Sequence, residues 1–189
     1  MKRPLRTHVP LLAAAALFLA GCGYNTIQTM DERVNQAQGQ VQTQLQRRND
    51  LIPNLVATVR GVAKQESTIF TSIADARARL GGAIQTGNVR QMAAADSVLS
   101  QGIGRLLAIA ENYPQLQSSQ NFRQLQDQLE GTENRISVAR QDYNTAVGEY
   151  NAYVRRFPYN LTAKVFGMGQ PREYFQATGG AQQPPTVSF

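Results

Sequence analysis

From Phe122 to Phe157 the chain sets an apolar or small residue at every third or fourth position without interruption. The series is Phe122, Leu125, Leu129, Thr132, Ile136, Ala139, Tyr143, Ala146, Tyr150, Tyr153 and Phe157. A helix turns once every 3.6 residues, so these positions fall on one stripe, and strict alternation of 3 and 4 marks a helix packed along a seam. Strand alternation is missing. Such a stripe must be covered, and the chain supplies two more. The first runs Ile27, Met30, Val34, Ala37, Val41, Leu45, Ile52, Leu55, Val59, Val62, Ile69, Ile73, Ala76, Leu80, in steps of 3 or 4 with two steps of 7. The second runs Val89, Met92, Leu99, Leu106, Ala110, Tyr113 and ends before Pro114.

Pro53 decides how the first stripe is divided. Inside a helix, proline removes a hydrogen bond and clashes with the preceding turn, at roughly 3 kcal/mol; in a first turn it is harmless. Asn49 and Asp50 precede it and can cap a new helix. An unbroken helix over 24–80 would be about 85 Å long, more than twice the reach of the second stripe. The expected fold is therefore all-α: an antiparallel up-and-down four-helix bundle with helices at 24–48, 51–80, 89–113 and 119–157. Gly81-Gly82 reads as the stop of the second helix. Residues 114–121 read as a polar loop and 158–176 as short irregular or helical pieces. Residues 177–189, rich in Gly, Gln and Pro, read as a disordered tail.

The residue inventory excludes much chemistry. There is one histidine, His8, and one cysteine, Cys22, so a disulfide framework and a Cys/His metal cluster are ruled out. Carboxylates such as Glu111, Glu130 and Glu133 read as solvated helix faces. No catalytic, cofactor or metal site is expected, and the chain is read as a non-enzyme.

The N-terminus sets the compartment. Lys2, Arg3 and Arg6 form a basic start, and Val9–Ala20 is an apolar run of signal-peptide length, too short to span a membrane. It ends in Leu19-Ala20-Gly21-Cys22, which resembles a bacterial lipobox. The resemblance implies removal of residues 1–21 and attachment of diacylglyceryl, with an N-acyl chain such as palmitate, at Cys22. Two or more acyl chains anchor a protein stably. Loss of the three basic residues lowers the net charge from +6 to +3, which argues against a nucleic-acid partner. Only Gly23 separates Cys22 from the helical pattern, so the first helix should rise directly from the bilayer. Arg155-Arg156 alone is a weak signal for an anionic surface.

Several strings remain. They are Arg47-Arg48-Asn49-Asp50-Leu51-Ile52-Pro53-Asn54-Leu55-Val56; Glu111-Asn112-Tyr113-Pro114; Glu133-Asn134-Arg135-Ile136 with Ala139-Arg140; and Tyr143-Asn144, Tyr150-Asn151 and Phe157-Pro158. Together they resemble the LemA family of bacterial envelope proteins over about Tyr24–Phe175. The resemblance implies a helical, membrane-attached domain over 22–176 and carries no enzymatic activity. The motif residues Arg48, Asp50, Pro53, Asn54, Tyr143, Asn144, Tyr150, Asn151 and Pro158 read as structural. Asn144 and Asn151 flank the seam and are expected to bond between helices. Arg47, Arg48 and Asp50 are expected to form a cap and a local ion pair. The functional expectation is a lipid-anchored, non-catalytic scaffold or adaptor for unknown envelope partners, on the periplasmic face of the outer membrane. The alternative is a membrane-shaping protein that self-associates on the bilayer.

Overall fold

Helix α1 runs unbroken from Tyr24 to Arg60, straight through Pro53. The structure, a computed structural model, describes residues 23–63 and 65–176; the expected signal peptide, Cys22 and the tail lie outside the described residues. After α1 come α2 (Ser67–Thr86), α3 (Val89–Ala110), α4 (Pro114–Gln117), α5 (Gln120–Arg155) and α6 (Tyr159–Val165). The described residues are helix, turn and coil throughout, so the all-α expectation holds.

The expected break near residue 50 is corrected, and the reason is a single hydrogen bond. Pro53 has no N–H, so the carbonyl of Asn49, four residues back, loses its helical donor. Arg77 of α2 replaces it: its Nε donates to the Asn49 carbonyl at 3.1 Å. A buried carbonyl is thus satisfied from a neighbouring helix rather than by ending its own. The chain turns at 61–66 instead, where Val62 and Ala63 both donate to the Val59 carbonyl. Asn49 and Asp50 are interior residues of α1, not caps.

Gly81-Gly82 is not a stop either. α2 continues to Thr86 and ends at Gly87, whose φ of 66° is left-handed and natural to glycine. Asn88 then caps α3, its side chain accepting from the Gln91 N–H at 2.9 Å. This two-residue connection makes α2 and α3 an antiparallel hairpin. Gly102 permits its close packing, since a Cβ there would sit 3.0 Å from Ile73 Cγ1.

Contacts divide the chain into two units. The larger comprises Ala37–Asn144 and the residues from Glu173 onward; the smaller comprises the chain up to Gln36 and Thr145–Arg172. The larger unit buries Leu45, Ile52, Leu80, Met92, Leu99, Leu106 and Ile136. The smaller buries Ile27, Val34, Val147, Tyr150, Val154 and Ala163. At its C-terminal end the expected stripe of α5 gives way: Phe157 is 76 % exposed, and Val147 and Val154 take the buried positions.

Candidate functional site

The larger unit carries charge in its interior. Asp96 on α3 is buried, as is Arg48 on α1. Arg48 Nη1 donates to Asp96 Oδ1 at 2.9 Å and lies 2.8 Å from Glu133 Oε2 on α5. Arg140, two helical turns beyond Glu133, binds the other carboxylate oxygen of Asp96. One carboxylate thus joins three helices. Burial pushes the Asp96 carboxyl above its ordinary value; the guanidinium groups of Arg48 and then Arg140 oppose that rise, and Glu133 adds to it. Two cations around a buried anion compensate for its lost hydration.

These positions have a sequence logic. The first stripe skips a turn between Leu45 and Ile52, and Arg48 sits in the gap. The second skips a turn between Met92 and Leu99, and Asp96 sits there. A charge at a missing core position was the available signal for Asp96. Glu133 is exposed, as expected of a solvated helix face, and also pairs with Arg48. Arg48 does not pair with Asp50, as the local ion-pair reading expects. Asp50 is exposed and accepts from Gln46 Nε2 at 2.8 Å along α1. Arg47 and Asp50 face an open hollow lined also by Gln42 and Leu51. Asn54 and Pro53 are exposed.

The Tyr-Asn pairs do something the sequence did not disclose. Asn144 donates through Nδ2 to the Phe175 carbonyl at 3.0 Å and accepts from the Phe175 N–H at 2.8 Å. Its side-chain amide therefore pairs with a peptide group as a neighbouring strand would. Beside it the Tyr143 hydroxyl donates to the Glu173 carbonyl at 2.8 Å. The Phe175 ring is buried, with the Arg140 guanidinium 4.9 Å above its centre. The C-terminal segment is thus tied to the ion cluster.

The smaller unit repeats the device. Asn151 donates to the Arg172 carbonyl at 2.9 Å and accepts from the Arg172 N–H at 2.7 Å. The Tyr150 hydroxyl donates to the Met168 carbonyl at 2.7 Å. Burial, with Asp31 adding and Arg172 opposing, raises the Tyr150 pKa, so the hydroxyl keeps the proton it donates. The Arg172 side chain binds Asp31 through Nε at 3.0 Å and Nη2 at 2.6 Å. Seven helical residues rise about 10.5 Å, and three extended residues span about 10 Å. A clamp repeating every seven residues on α5 can therefore grip every third residue of an extended chain. The expected interhelical bonds are corrected: both asparagines hold main chain that belongs to no helix. Pro158 directly precedes α6.

Arg48, Asp50, Tyr143, Asn144, Tyr150 and Asn151 bond to groups of the same chain, and among the described residues no group of His, Cys, Asp or Glu could hold a metal ion. Nor is any described helix long and apolar enough to cross a membrane.

Comparison with known proteins agrees with the motifs. The chain is 29% identical over 184 residues to magnetosome proteins MamQ 1 and MamQ 2 of Paramagnetospirillum magneticum, covering 85% of this chain and 67% of each relative. It is 27% identical to magnetosome protein MamQ of Magnetospirillum gryphiswaldense, with the same coverage. The sequence profile of the LemA family matches residues 37–189, most of the chain and every clamp and cluster residue described above except Asp31; this protein belongs to the LemA family.

Proposed function

We propose that this protein is a non-catalytic, lipid-anchored scaffold or adaptor of the bacterial envelope, held through acylated Cys22 on the periplasmic face of the outer membrane. The observation that carries this reading is the use to which the family motifs are put. Arg48 and Arg140 bind the buried Asp96, and Asn144 and Asn151 bind main chain of the same molecule. Within each unit they support firm internal packing that presents surfaces, not a reactive cleft. The four long helices α1, α2, α3 and α5 form, in this reading, the antiparallel bundle expected from the stripes. α1 begins at Tyr24, so the lipid sits within two residues of a rigid element.

In-cell crosslinking with mass spectrometry, comparing the native chain with Cys22→Ala, tests it. One or two specific envelope proteins captured by the native chain and lost in the variant are expected. A second reading is that the protein shapes membrane by self-assembly on the bilayer. Crosslinks only to itself and to lipid would replace the first reading with the second.

A further inference from the structure

The smaller unit exposes apolar side chains that its own packing does not explain. Phe157 is 76 % exposed, Leu161 53 %, Val165 79 % and Phe166 50 %. Leu161 and Val165 are spaced by four and share one side of α6, while Ala163 is buried; Phe157 lies in the turn just before α6. Singly such residues need no account; four within ten positions do. The charge carried by this segment itself has one sign. Between Tyr150 and Arg172 the sequence contains Arg155, Arg156, Lys164 and Arg172 and no Asp or Glu. Of these, only Arg172 is bound to a carboxylate among the contacts described above.

This face lies where the chain enters the fold. Gly23 has a φ of 111°, and a side chain there would run into the Tyr159 ring at the start of α6. The Tyr24 ring packs on Phe166 with centroids 4.6 Å apart, and Tyr153 stacks on Tyr159 at 4.4 Å. Cys22 directly precedes Gly23 in the sequence. Tyrosines, exposed apolar side chains and unopposed cations beside an acyl attachment point make up an interfacial membrane contact.

We propose that α6 and the preceding Phe157 form a lipid-contacting foot: Phe157, Leu161, Val165 and Phe166 insert among the acyl chains, and Arg155, Arg156 and Lys164 meet anionic headgroups. The foot rests on the Cys22 anchor for its orientation. It gives the domain a second point of attachment, which fixes its rotation on the bilayer. A single flexible lipid tether cannot do this.

The test uses the full chain, expressed with its signal in bacteria and reconstituted into phosphatidylethanolamine–phosphatidylglycerol vesicles. Acylation occupies the Cys22 sulfur, so Val165→Cys introduces a free thiol for an environment-sensitive fluorophore; Val98→Cys on α3 is the control, and the unsubstituted chain sets the background. The expected result is blue-shifted emission at 165, quenched several-fold more than at 98 by lipids carrying a quencher in the acyl chain. The quenching should fall in Arg155→Gln/Arg156→Gln/Lys164→Gln. Equal quenching at 165 and 98 in chains that float with vesicles overturns the foot and leaves the anchor standing. Blue-shifted emission at 165 without vesicles assigns the face to a second protein copy and also overturns it. Mass spectrometry of Cys22 reports the anchor separately: an unmodified thiol in chains still quenched at 165 removes the anchor and keeps the foot.

Discussion

The ion cluster of the larger unit and the Asn151 clamp of the smaller one solve the same problem by opposite means. Each replaces apolar packing with buried polar bonds on a long helix. The cluster does so with full charges, and a buried charge is tolerated only while every partner stays. The clamp does so with a neutral amide whose two bonds to one peptide group are each of ordinary strength. The cluster fixes which helices meet; the clamp fixes a chain that has no hydrogen-bonded structure of its own. Removing a member of the cluster should therefore cost far more than removing a clamp.

Asp96→Ala leaves Arg48 and Arg140 facing a void and should cost about 3–5 kcal/mol in denaturant unfolding. Arg48→Met combined with Asp96→Leu should cost much less than Asp96→Ala, because it removes the charges together; an equal or larger cost would show that the cluster acts through more than its charges. Asn151→Ala orphans the Arg172 N–H and carbonyl and should cost about 1–3 kcal/mol. Limited proteolysis should then cut near residue 172 before the helices. If the segment stays protected, Arg172–Asp31 and Tyr150 hold it unaided.

Arg77→Ala should cost about 1 kcal/mol by leaving the Asn49 carbonyl without a donor. Pro53→Ala restores an N–H to that carbonyl, so the double variant should recover most of the loss. Simple additivity would sink the account of how α1 passes Pro53.

The smallest effect is in pH. Burial holds the Asp96 pKa above its ordinary value of 3.8. A raised folded-state pKa in an acid means that the contribution of Asp96 is full below the unfolded value and is lost as pH rises through the folded one. The stability difference between wild type and Asp96→Asn should thus be most favourable to wild type in acid and decline towards neutrality. The opposite slope would mean that the two arginines outweigh burial.

Periodicity alone determined much of this protein. The 3–4 spacing from Phe122 to Phe157 set a helix at 119–157, within two residues of α5 at each end, and Tyr24 was correctly read as the point where helix begins. Side-chain period is a local property, so a single sequence carries it. Where a helix stops depends on whether an orphaned backbone group finds a partner, and that partner can be distant in sequence. Pro53 looked like a break because Arg77, 24 residues on, could not be known to reach Asn49. Gly81-Gly82 looked like a stop because two glycines lower helix propensity, yet the left-handed turn was needed only at Gly87. The motif residues Arg48, Asn144 and Asn151 were picked out, but with the wrong partners: they bond to Asp96, Phe175 and Arg172. Asp96, Arg172 and Phe175 were not picked out, since a buried carboxylate or a clamped peptide is defined by what tertiary contact brings to it. The sequence determined which residues could form helices and which side-chain types were scarce; the tertiary structure decided which polar groups would be buried, because only packing takes a group out of water and only a neighbour can replace the water it loses.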